Sequence, residues 1–118
     1  MIFVFGSNLQ GIHGAGAALH AKHNYGAVQG VGVGRMGNAY AIHTKSTPWK
    51  QLPLETIFSY VSVFIDYAKT HPELEFQVTR VGCGLAGYTD SQIAPMFKGS
   101  PVNCHLSEEW IDFIAEDS

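Results

Sequence analysis

The chain has 118 residues, one domain's worth, and its 46% hydrophobic and 12% aromatic content can bury a core, which excludes intrinsic disorder. Net charge is -3 with histidine neutral, but five of the ten acids (Glu108, Glu109, Asp112, Glu116, Asp117) fall in the last eleven residues, so residues 1–107 hold seven basic against five acidic side chains. That balance excludes a strongly basic nucleic-acid clamp and permits a locally attractive anion pocket.

Ile2–Phe5 is a short apolar run of β-formers, as expected for a strand buried on both faces. Ala15–Asn24 is alanine-rich, ends at Gly26, and reads as a helix. Ala39–Thr44 is a second strand. Pro53 stands where a first helical residue would, and Leu54, Ile57, Phe58, Val61, Phe64, Ile65 and Ala68 follow at helical spacing. Pro72 should stop this helix near Thr70. Phe76–Val81 reads as a third strand, and Thr89 with Gln92 has capping-box spacing for a short helix ending by Gly99. Val102–Leu106 would be a fourth strand, and Trp110, Phe113 and Ile114 mark a last amphipathic helix. The order β-α-β-α-β-α-β-α predicts one α/β domain over 1–118, with a mostly parallel sheet and helices on both faces.

Twelve of the 13 glycines fall into three clusters. Two clusters, Gly11–Ala17 and Gly82–Tyr88, follow a strand and precede a helix. There a loop can offer backbone N–H groups and a helix N-terminus to a phosphate. A pair facing one crevice at the carboxyl ends of parallel strands is what a diphosphate held from two sides requires; the alternative is that both simply make tight turns. GCGLAG from Gly82 also matches G-x-G-x-x-G, with Glu108 about twenty residues on. Only 36 residues follow Gly82 (118 minus 82), too few for a complete dinucleotide fold. No P-loop string is present.

Phe3-Val4-Phe5-Gly6-Ser7-Asn8, the loop ending in Gly14-Ala15-Gly16-Ala17, and the Lys22 to Gly26 helix end resemble the first binding region of macrodomains. Tyr40-Ala41-Ile42-His43-Thr44-Lys45 and Arg80-Val81-Gly82-Cys83-Gly84-Leu85 resemble the branch that releases ADP-ribose from glutamate side chains. The resemblance spans roughly residues 2–106 and suggests a compact unit of bacterial or phage type, with a three-layer α/β/α macrodomain-like fold. It implies that Asn8 touches the distal ribose, that Gly14, Ala15, Gly16 and Ala17 wrap the diphosphate, and that Gly82, Cys83, Gly84, Leu85, Ala86, Gly87 and Tyr88 form the second phosphate loop, with Tyr88 covering the ligand. Lys45 matches the lysine that attacks the anomeric carbon.

Two departures matter. The aspartate that follows G-C-G-L in that branch is Ala86 here, and the family's adenine-contacting first strand has no counterpart. Nucleophilic lysine needs a proton-transfer partner. The nearest acids by sequence are Asp90, which reads better as part of the capped helix start, and Glu55. His13, inside the first loop, is a candidate ligand contact, whereas His43 within its strand reads as a core or face histidine. His20 and His23 read as a solvated helix face, and no third metal ligand is placed by sequence. Cys83 and Cys104 make no disulfide scaffold and read as packing. Trp49 and Trp110 are rim or core aromatics, although Trp49, just beyond Lys45, could close over a base.

The expectation is therefore a domain that binds ADP-ribose or a related nucleotide diphosphate-sugar, either hydrolysing ADP-ribosyl linkages or acting as a non-catalytic reader or sponge. A crevice turned to another nucleotide-derived ligand is the remaining alternative. No cofactor or metal is expected. The partners are a small-molecule ligand or an ADP-ribosylated macromolecule, with neither membrane nor nucleic acid. Met1–Phe5 is short and lacks a basic lead, and no stretch reaches the roughly 18 apolar residues of a membrane span, so a cytoplasmic protein is expected.

Overall fold

Strand β1 (Ile2–Asn8) runs through the centre of a mixed six-stranded sheet. The computed structural model describes residues 1–8, 16–27, 34–47, 49–84 and 86–115. Helix α1 (Gly16–Asn24) is followed by β2 (Gly34–Met36), β3 (Ala39–Thr47), β4 (Lys50–Gln51) and the long helix α2 (Leu54–Thr70). Strand β5 (Phe76–Val78), helix α3 (Asp90–Ile93) with a 3-10 turn over Ala94–Phe97, β6 (Cys104–His105) and α4 (Glu108–Ala115) complete the chain.

The sheet order is β2-β3-β1-β5-β6, with β4 paired to the far end of β3. Among the described residues, β1 pairs in parallel with β3 and β5, and β5 with β6, whereas β2 and β4 both run antiparallel to β3. The sheet is therefore less uniformly parallel than the element order implies. The two antiparallel strands are two and three residues long and lack the apolar runs of β1 and β3.

Alternation along β1 divides the core. Ile2 and Val4 join Tyr40, Ile42 and the buried stripe of α2 (Ile57, Val61, Phe64, Ile65, Ala68), together with Phe97 and Trp110. Phe3 and Phe5 join Ala39, Ala41, Met36 and Ala21 of α1 in a second cluster. The stripe on α2 recurs every three or four residues, so one face of the helix is apolar. The helix stops at Thr70 because the residue before Pro72 is driven out of the α region. Asn103 then reaches back, its side-chain amide donating to the carbonyls of Ala68, His71 and Leu74.

Two predicted strands are shorter than expected. The third ends at Val78: the Thr79 amide makes the last ladder bond to Val4 O (3.1 Å), its hydroxyl donates to the same oxygen at 2.7 Å, and the Val81 amide then turns back onto Thr79 O at 2.7 Å. The fourth is confined to Cys104–His105. Pro53 precedes α2 as its N-cap, and the Thr89/Gln92 capping box is present at the start of α3. No helix among the described residues is long and apolar enough to cross a membrane.

Candidate functional site

The parallel pairing sends the carboxyl ends of β1, β3 and β5 to one edge of the sheet, where ligand crevices form in such sheets. A cavity of about 950 Å³ opens there. Its walls are the end of β1 (Gly6–Asn8), the first turn of α1 (Gly16–Ala18), Thr44 and Lys45 of β3, the β3–β4 turn with Trp49 and Gln51, and the segment after β5 (Thr79–Gly84, with Ala86). A register shift helps build it. Ser7 stands opposite His43, but Asn8 stands opposite Lys45, so one residue of β3 is extra. Such an irregularity re-aims side chains at a strand end, and consecutive residues Thr44 and Lys45 both reach the cavity here.

The second glycine loop lies against the end of β1. A Cβ on Gly6 would meet Thr44 Oγ1 at 3.2 Å and the Gly82 amide at 3.3 Å, so only glycine lets the loop approach β1 this closely. Gly82 has φ +79 and lies against Ile93. Within the loop the amides of Cys83, Gly87 and Tyr88 donate to Arg80 O, Gly84 O and Gly82 O. Among the described residues the amides of Gly82, Gly84 and Ala86 donate to no protein acceptor. The first-turn amides of α1 likewise lack partners within the helix. The first turn of α1 (Gly16–Ala18) forms another part of the wall, where the partial positive charge of a helix start falls.

Two cations, Lys45 and Arg80, line the described wall, and no carboxylate does. Arg80 is held in place. Its Nε and Nη2 donate to the two oxygens of Asp90 at 2.9 and 2.7 Å, and Trp110 Nε1 donates to the same carboxylate at 2.7 Å. These bonds hold the Asp90 carboxyl down at about 2 and raise the Arg80 guanidinium further. Asp90 is therefore an anchor for Arg80 rather than an acid facing the cavity. Burial, with Asp90 nearby, pushes the Cys83 thiol up to about 12, so it stands protonated and is a poor nucleophile.

No family model, curated protein or solved structure matches the chain.

The structure brings Asn8, Gly16, Ala17, Lys45, Gly82, Cys83, Gly84 and Ala86 onto one wall system. Gly87 and Tyr88 do not line it. The Tyr88 hydroxyl instead donates to Leu52 O at 2.5 Å, tying the second loop to the chain leaving β4. His13, Gly14, Ala15 and Leu85 lie outside the described residues. His43 also stays off the wall. It is 6% exposed, packs edge-on against Tyr60 at 4.6 Å, and neither ring nitrogen has a partner; burial lowers its pKa.

His20 contacts Phe3 and Tyr25 by ring packing, and no cluster of three metal-ligating side chains occurs among the described residues. Sequence reasoning missed Ser7, Thr44, Gln51, Thr79 and Arg80 as wall residues. Arg80 carried a legible signal, a cation two residues before a glycine loop. The arrangement suits the binding of an extended anion. It offers Lys45 no carboxylate partner for proton transfer on the described wall.

Proposed function

We propose that the chain is a three-layer α/β/α unit of macrodomain type whose cavity binds ADP-ribose or a related nucleotide diphosphate-sugar, free or attached to a macromolecule. The observation that carries this reading is the convergence, in one cavity at the strand ends whose described wall has no carboxylate, of the α1 start, the second glycine loop, Lys45 and Arg80. A diphosphate needs backbone donors and positive charge without a competing acid. The division of the core between α1 and α2 supports the layered arrangement. The wall favours a reader or sponge over a hydrolase, because a lysine nucleophile lacks its acid there.

Calorimetric titration with ADP-ribose, with ADP and AMP as controls, tests the reading. Micromolar binding that needs the distal ribose is expected. A Cβ on Gly84 would meet nothing within 4 Å, so Gly84→Asp places a carboxylate at the cavity without crowding the fold. That variant should keep its circular dichroism and lose the ligand. Retained affinity in folded Gly84→Asp, or no binding of any of the three compounds by the wild type, would overturn the proposal.

A further inference from the structure

Arg80 is fixed at both ends. Its carbonyl accepts from the Cys83 amide at 3.0 Å, and Thr79 before it is bound to Val4 O. At the far end Nε and Nη2 donate to Asp90 Oδ1 and Oδ2 at 2.9 and 2.7 Å. That carboxylate is fixed in turn. It opens α3, where the Thr89/Gln92 capping box sets the helix start, and it accepts the Trp110 indole N–H at 2.7 Å. Trp110 belongs to α4 and is fully buried, its ring centroid 4.9 Å from that of Phe97. Segments from three parts of the chain thus converge on one guanidinium.

These bonds do more than add stability. The Arg80 side chain is 47% exposed and would otherwise sample many rotamers; Asp90 fixes the plane of its guanidinium. Asp90 takes the edge formed by Nε and Nη2. Both Nη1 hydrogens and the second hydrogen of Nη2 have no acceptor among the described residues. Nη1 and Nη2 form another edge, whose parallel donors match two oxygens of a phosphate. Arg80 lines the cavity together with Lys45, whose ammonium is a point charge without that geometry. A side chain that is already ordered loses little freedom when a ligand arrives.

Resting on the reading that the cavity holds a nucleotide diphosphate-sugar, we propose that Arg80 is the fork that takes two oxygens of its diphosphate, and that Asp90 and Trp110 are positioning residues for that contact. Helix α4 is thereby part of the binding site, although none of its described residues lines the cavity.

Titration with ADP-ribose separates position from charge. Arg80→Lys, at a half-exposed position, keeps the charge and loses the fork. It should bind about tenfold more weakly than wild type, nearly as weakly as Arg80→Ala. Asp90→Asn removes a carboxylate from beside an anion site, so charge alone would strengthen binding. Positioning predicts the reverse, a loss of about threefold in the folded variant. In the Arg80→Ala background the same substitution should cause no loss, because no guanidinium is left to orient. Trp110→Phe keeps a ring beside Phe97 and removes the N–H donor; it too should lose about threefold, and only while Arg80 is present. Arg80→Lys with wild-type affinity overturns the fork. Asp90→Asn that binds as tightly as wild type, or that loses equally in both backgrounds, overturns the positioning role. Wild-type affinity in folded Trp110→Phe overturns the part assigned to α4. Each of these leaves the cavity reading standing, whereas wild type that binds no ADP-ribose overturns both.

Discussion

Lys45 and Arg80 reach the same cavity by different means, and the difference decides what each can do. Lys45 is placed by the register shift between β1 and β3 and stands opposite Asn8. Arg80 is fixed by Asp90, which Trp110 holds in turn. The sequence makes Lys45 visible through its string, but the Arg80 anchor joins residues ten and thirty positions apart, which no local pattern links. Lys45→Ala therefore separates binding from chemistry. ADP-ribose affinity should fall by no more than about tenfold, the scale of one partly exposed charged contact. Any release of ADP-ribose from modified glutamate seen with the wild type should vanish. A variant that turns over at the wild-type rate would remove the lysine from the chemistry.

At the scale of elements, what was legible is what local chemistry alone determines. The apolar run of β1, the stripe of α2 and the Thr89/Gln92 box each carry their signal within a few residues. Strands β2 and β4 do not, because their pairing with β3 comes from turn geometry rather than composition. The end of the third strand carries no compositional signal either: the Thr79 hydroxyl joins its amide on Val4 O, and the Val81 amide folds back onto Thr79 O. Asn103 shows how such a non-local bond matters. Buried at the entry to β6, it closes the last carbonyls of α2 and the turn that follows. Asn103→Ala leaves Leu74 O without this donor and leaves Ala68 O and His71 O only the amides of His71 and Leu74, a loss of about 1–3 kcal/mol. Urea denaturation should show the midpoint falling with an unchanged slope; an unshifted midpoint would mean that water or a neighbour replaces the amide.

For the molecule as a whole, the titratable groups whose pKa the fold shifts set the pH range in which it is most stable. His43 is neutral in the fold, its pKa lowered by burial, while an unfolded histidine takes a proton below about 6.5. Stability is therefore full above that pH and declines as the pH falls from it toward the lower folded value. Asp90, held at about 2 by Arg80 and Trp110, contributes stability that is present above its ordinary 3.8 and is lost as the pH falls toward 2. On the alkaline side burial raises Cys83 to about 12, Cys104 to about 11 and Tyr40 to about 12. The unfolded chain ionises first, from about 9, so stability falls as the pH rises beyond it. Urea midpoints measured from pH 2 to 11 should form a plateau between about 6.5 and 9 with a stepped acid limb. His43→Leu should flatten the upper acid step and leave stability at pH 8 nearly unchanged, because the two unpartnered ring nitrogens make no hydrogen bond that the variant loses. Asp90→Asn should flatten the lower step alone. An acid limb that keeps its wild-type slope in His43→Leu would show that this histidine does not set the first step.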